Sequence, residues 1–165
     1  MLLDKRRVST FTKTFAVIIA ISFVSSVALY VLPTYTTISN VPANAPANLR
    51  KAIEQGNRYS DNKQYKQANE AYERALAIDP NNVDVRIDNA IAYYYQNNVQ
   101  RAIDEALKGV KVRPNHPKAH YNLGIFYTSA GRPEDARREF ETYLKLEPSG
   151  SSADYARQQL QQLGK

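Results

Sequence analysis

Prolines recur at a fixed interval along the second half of the chain: Pro80, Pro114 and Pro148 stand 34 residues apart. A period of that length through three copies means one supersecondary unit repeated, so the unit decides the fold before any single segment is read. Other columns keep step: Gly56, Ala90 and Gly124; Tyr59, Tyr93 and Tyr127; Ala68, Ala102 and Ala136; Tyr72, Ala106 and Phe140; Leu76, Val110 and Leu144. The unit they predict is a hairpin of two helices. A small residue beside the tyrosine column lets a second helix approach, and that helix answers with its alanine, small against small. Each hairpin turns at Asp61-Asn62-Lys63, Gln96-Asn97-Asn98 or Ala130-Gly131-Arg132-Pro133. Asp79-Pro80-Asn81-Asn82, Arg113-Pro114-Asn115-His116 and Glu147-Pro148-Ser149-Gly150 stop one hairpin and cap the next helix. A hairpin this small cannot bury its own apolar face, so it must stack on its neighbours, and the last one needs a cover. Residues 151–165 predict that cover: Tyr155, Ala156, Leu160 and Leu163 lie on one side of a glutamine-rich helix.

These columns resemble the tetratricopeptide repeat (TPR) family, whose 34-residue pattern of small, aromatic and alanine positions ends in proline. The resemblance covers residues 49–148 of a repeat region at 48–150, with repeats at 49–82, 83–116 and 117–150. It implies an all-α helical-hairpin superhelix of three repeats plus a capping helix, whose first helices line a concave wall that binds a peptide or protein partner. The pattern departs at Ala106 and Gly109, which thin the core of the second repeat, and at Tyr143, where the family has alanine. Tyr94, Tyr95 and Tyr121 fall off the core columns onto the first-helix face. With Ile53, Ile87, Ile91 and Ile125 they are expected to form an apolar, aromatic trough, to which Asn57, Asp88, Lys118 and Asn122 add polar points. An ordinary surface with stray aromatics is the alternative for the same residues. One TPR subgroup grips chaperone C-terminal carboxylates with lysine, asparagine and arginine. Its positions correspond here to Ile53, Asn57, Asp88, Lys118 and Asn122, of which only Asn57 and Lys118 agree. Asp88 would repel a carboxylate, so a dicarboxylate clamp is not expected.

Ahead of the repeats, residues 15–32 run eighteen positions without a charge and close at Pro33. As a helix the run would be about 27 Å long, near the hydrocarbon thickness of a bilayer. A buried core helix should show a polar stripe, and this segment offers only Ser22, Ser25 and Ser26. A cleaved signal peptide is the other alternative, with a site at Ala43-Asn44-Ala45, but the apolar run exceeds the usual ~7–15 residues. An uncleaved transmembrane anchor is therefore expected, preceded by a basic segment at 1–14 and followed by an extended linker at 33–47 reaching about 45 Å. Lys5, Arg6, Arg7 and Lys13 precede the run, and the next basic residue is Arg50. Positive residues resist translocation, so the expected arrangement is single-pass in the cytoplasmic (inner) membrane, N-terminus in the cytoplasm, TPR domain on the outer side, which is the periplasm of a Gram-negative bacterium. In architecture the chain resembles bacterial single-span TPR proteins that work beside translocation, folding or envelope-assembly machines.

The net charge of +6 loses its nucleic-acid flavour once divided along the chain, because half of it lies before residue 15. Over residues 50–165 both signs interleave, the pattern of a solvated helical surface rather than of a stripe that follows phosphates. The absence of cysteine removes thiolate metal sites and cysteine nucleophiles. His116 and His120 are four apart with Pro117 between them, and no nearby carboxylate completes a metal site. His116 is expected in a turn and His120 between hairpins. No nucleophile motif or catalytic set appears, so no enzyme, cofactor, metal or small-molecule substrate is expected. The function this leaves is a membrane-anchored scaffold or adaptor that binds a partner in its groove and assists assembly, folding or translocation. The alternative is a structural subunit that docks permanently or self-associates through the array.

Overall fold

The computed structural model describes residues 45–164, and every regular element among them is an α-helix. In chain order these are α1 (Ala47–Asp61), α2 (Tyr65–Ile78), α3 (Val83–Tyr95), α4 (Val99–Val112), α5 (Pro117–Ser129), α6 (Pro133–Leu146) and α7 (Ser151–Leu163). The expected basic segment, the expected anchor at 15–32 and most of the expected linker lie outside the described residues. No described helix is long and apolar enough to cross a membrane.

The three hairpin turns share one conformation because one backbone geometry ends all three first helices. Lys63, Asn97 and Gly131 occupy the same repeat position with φ of 59°, 61° and 67°. At each turn the residue that follows donates its N–H to the tyrosine carbonyl five places back: Gln64 to Tyr59 at 2.8 Å, Asn98 to Tyr93 at 3.0 Å and Arg132 to Tyr127 at 2.9 Å. Together with the left-handed residue this is the Schellman stop, which satisfies carbonyls that a helix end would otherwise leave without donors. Between hairpins, Asn82 Oδ1 accepts from the Val85 N–H at 3.2 Å, and His116 Nδ1 accepts from the Ala119 N–H at 3.3 Å. Pro117 and Pro133 open their helices where the missing N–H costs nothing.

Helices pack in sequence, α1 on α2, α2 on α3 and so on to α7, and α3 also touches α5, so the first helices of the second and third hairpins neighbour one another. The buried alanines 68, 102 and 136 let the helices approach, as expected, but the glycine column works differently from small against small. The space left at Gly56 is filled by the Tyr72 ring, and a methyl on Gly124 would sit 2.6 Å from Phe140 Cε1. Glycine faces an aromatic ring in the first and third hairpins, whereas in the second Ala90 pairs with Ala106, so side-chain volume is traded between columns. Gly109 likewise does not thin the core, since Ile87 Cδ1 lies 3.1 Å from where its Cβ would be. Tyr93 and Tyr127 are buried; Tyr59 is only half-buried, because no hairpin precedes the first among the described residues. In α7, Ala153 and Ala156 are buried, and Leu160 and Leu163 pack against the same core. Tyr155 stays 39% exposed with its ring edge-on to Tyr121.

At one set of repeat positions the two junctions between hairpins carry opposite chemistry. Between the first and second, buried Asn69 donates through Nδ2 to the Asn89 carbonyl at 2.8 Å and to Asn89 Oδ1 at 2.6 Å, while its own Oδ1 accepts from Gln96. One repeat later the same positions hold Ile103, Leu123 and Ala130, with Ile103 and Leu123 fully buried.

Candidate functional site

The first helices α1, α3 and α5 carry the residues singled out from the sequence, and the structure divides them into two groups. Ile53 and Ile87 do not line a trough. They are 4% and 0% exposed and belong to the interior, Ile53 in the cluster with Ala68, Tyr72 and Ala75, Ile87 in the cluster with Ala106. The physical reason lies across the hairpin: small residues on the second helix leave space there, and the isoleucines turn inward to fill it. Ile91 and Ile125 are partly exposed while packing on the same core.

The aromatic residues form two linked sets. Tyr95 is the most open at 59% exposure, stacked on Tyr65 with centroids 4.9 Å apart. Tyr94 lies edge-on to Tyr95, rests on Phe126 at 5.0 Å, and places its hydroxyl 2.9 Å from Ser129 Oγ. Tyr121 packs against Tyr143 at 5.1 Å and edge-on to Phe140 and Tyr155. Burial raises the Tyr121 hydroxyl above the ordinary phenol range, so it stays a neutral donor. Tyr94 and Tyr121 thus support the fold as well as the face they stand on.

The polar points are largely occupied. Asn57 Oδ1 accepts from the Tyr72 hydroxyl at 2.9 Å, and Asn122 Nδ2 donates to the Lys118 carbonyl at 2.7 Å. Lys118 Nζ lies 2.5 Å from Asp88 Oδ1. Burial pushes the Asp88 carboxyl above its usual range, against the opposing pull of Lys118. The two residues that match the carboxylate-gripping subgroup are therefore both engaged within the chain, Asn57 by a phenol and Lys118 by an acid. His120 spans Glu139 Oε2 at 2.7 Å and the Pro114 carbonyl at 2.6 Å, and buried His116 caps α5 and meets Asp84 at 3.0 Å. Among the described residues no group of three or more His, Asp or Glu side chains could hold a metal ion.

A cleft of about 330 Å³ opens between the second and third hairpins and α7, lined by Asp84, His116, Pro117, Lys118, Tyr121, Tyr143, Glu147 and Ser152. Sequence reasoning placed only Lys118 and Tyr121 of these on a binding face. The missed signal is periodic: Asp84, Lys118 and Ser152 are again 34 apart and bring one repeat position of successive units to one wall.

Comparison with known proteins agrees with this architecture. Family models described as tetratricopeptide repeat match residues 59–109 and 87–153. Tetratricopeptide repeat protein 28 of Mus musculus is 29% identical over 107 residues, 65% of this chain, and the chain spans only 4% of that protein's length. The small glutamine-rich tetratricopeptide repeat-containing protein 2 of Mycosarcoma maydis is 31% identical over 95 residues, 58% of this chain and 27% of its own length. Among solved structures, the Sgt2 TPR domain from Aspergillus fumigatus superposes with a TM-score of 0.67 at 25% identity, covering 76% of this chain and 81% of that one. The second TPR domain of human RPAP3, in complex with the HSP70 peptide SGPTIEEVD, gives a TM-score of 0.65 at 25% identity over 72% of this chain and 96% of that one. Two family models that together run from residue 59 to 153, over helical hairpins stacked at a constant period, establish that the chain belongs to the tetratricopeptide repeat family.

Proposed function

We propose that this protein is a membrane-anchored scaffold that holds an extended or helical segment of a protein partner on the first-helix face of its repeats. The observation that carries the reading is the set of aromatic side chains left open on that face, with Tyr95 59% exposed and Tyr94 and Tyr121 half-open. Tyrosine offers large, stiff contact area at low entropic cost, which is why it concentrates at interface hot spots. The human RPAP3 domain holding an HSP70 peptide supports a peptide as guest. The chargeless run at 15–32 behind a basic start supports anchorage in the cytoplasmic membrane with the repeats on its outer side. A scaffold so placed would assist assembly, folding or translocation of envelope or membrane proteins.

A photo-crosslinking residue installed at Tyr95 of the full chain tests the groove against the same residue at exposed Asp104 on α4. The expected result is a discrete adduct from Tyr95 that Asp104 does not give; equal labelling from both sites would sink the reading. Sedimentation with membranes after alkaline carbonate washing is expected of the anchored chain, and release into the supernatant would overturn the anchor.

A second reading, permanent docking through the second helices, is favoured by Ile78 and Val112, which occupy equivalent repeat positions and stay 40% and 45% exposed. A single discrete mass above the monomer in mild detergent, abolished by Ile78→Ser with Val112→Ser, would select it. A monomeric mass would remove self-association.

A further inference from the structure

We infer that the cleft between the second hairpin, the third hairpin and α7 seats a cationic side chain, arginine or lysine, of the peptide held on the first-helix face; this rests on the groove reading above. Two kinds of group meet there. Tyr121 forms the aromatic wall, backed by the buried Tyr143 with the two rings 5.1 Å apart and inclined at 56°, while Asp84 and Glu147 contribute carboxylates.

Charge decides which guest fits. Among the described residues Lys118 is the one lysine or arginine on the cleft wall, and Asp88 holds it at 2.5 Å. Asp84 meets His116 at 3.0 Å and Arg113 at 3.7 Å, but the Arg113 side chain is 55% exposed, and so loose a surface pair quenches little of the carboxylate's field. Glu147 is exposed at the rim. On the cleft wall itself the carboxylates of Asp84 and Glu147 face the single ammonium of Lys118, which leaves one negative charge. The starts of α5 and α7 attract anions in principle. At α5, however, the Ala119 N–H is already bonded to His116 Nδ1 at 3.3 Å, and a carboxylate guest would have to pass Glu147 and approach Asp84.

The protein shows the same recognition within its own chain. Arg101 lies over the Tyr93 ring at 4.4 Å while pairing with Glu73 at 3.2 Å, and Arg132 lies over Tyr127 at 4.5 Å while pairing with Asp135 at 2.5 Å. In both places a guanidinium is held between a tyrosine face and a carboxylate, where the ring quadrupole and the full charge act together. The cleft offers that pairing to an arginine or lysine arriving from outside. This preference is opposite in sign to that of a carboxylate clamp, and it follows from the pairing of Lys118 with Asp88.

A peptide selection tests it. Random peptides displayed on phage are selected against the immobilised full chain in detergent, and the selection is repeated on Glu147→Gln and Glu147→Lys. Glu147 has no buried role, so matching thermal melts are expected for all three proteins. Peptides selected on the wild type should carry arginine or lysine at one fixed position several-fold above the library frequency. That excess should shrink on Glu147→Gln and disappear on Glu147→Lys. A pool rich in Asp, Glu or free C-terminal carboxylates, a pool with no basic excess, or a basic excess unmoved by both variants overturns the assignment while the groove stands. A wild-type pool with no enriched sequence at all overturns the groove reading itself.

Discussion

Lys63 sits in a left-handed conformation that its side chain disfavours, at φ 59°, in the position that Asn97 and Gly131 fill in the other two turns. A residue with a Cβ costs about 1 kcal/mol more than glycine in that region, and asparagine tolerates it best among the rest. Lys63→Gly should therefore stabilise the array by roughly 1 kcal/mol, partly offset by the greater freedom of the unfolded chain. A higher urea midpoint with an unchanged slope would confirm it, and a lower midpoint would refute it. The turn itself was legible from Asp61-Asn62-Lys63, but its handedness was not, since lysine carries no turn chemistry of its own and only the column it shares with Gly131 betrays it. The misplaced isoleucines teach a related lesson. The helical face of Ile53 and Ile87 can be read from spacing, but whether such a residue points outward depends on the space opposite, which Gly109 and Ala75 supply from another helix. Lys118 has the same character: the sequence gives its charge, and only the 2.5 Å contact with Asp88 shows that the charge is engaged.

At the scale of elements, helix existence and order were legible because a 34-residue period repeats each signal three times. The exchange of volume across each hairpin was not, because Gly56 with Tyr72, Ala90 with Ala106, and Gly124 with Phe140 form a pattern only once the columns are paired in space. The amide contacts between α2 and α3 escaped for the same reason. They make a sharp prediction. Asn69→Ile alone would leave the buried Asn89 Oδ1 without its donor, at a cost of about 1–3 kcal/mol. The combination Asn69→Ile, Asn89→Leu and Gln96→Ala copies the junction one repeat later and should recover most of that loss or exceed it. Thermal melts of the single and triple variants measure the coupling, and a triple variant as unstable as the sum of its parts would contradict it.

Across the whole array, tyrosines recur at interior positions, and their titration sets how it responds to base. The Tyr93 hydroxyl is pushed up to about 12, by burial first and by its bond to Glu73 second; burial also raises Tyr72, Tyr121 and Tyr127. A group raised in the folded state contributes stability that is fully present below its unfolded value and is lost as pH climbs through the folded one. Stability should therefore hold up to about pH 10, where an unfolded tyrosine ionises, and decline steadily toward about 12. Urea midpoints across that interval, followed alongside phenolate absorbance, check both the sign and the window. A midpoint that rose with pH there would be incompatible with these buried phenols.

The two unlike junctions carry a consequence for assembly. Placing the third hairpin directly after the first would set Asn69 against Leu123 and Ala130, amide against hydrocarbon, and its side chain would lose both of its amide partners, with only a backbone carbonyl left to meet it. Hairpins of common outline are therefore not interchangeable tiles. Their contact surfaces encode a serial order, which guards against hairpin-for-hairpin exchange with another copy and against skipping a unit while the chain folds.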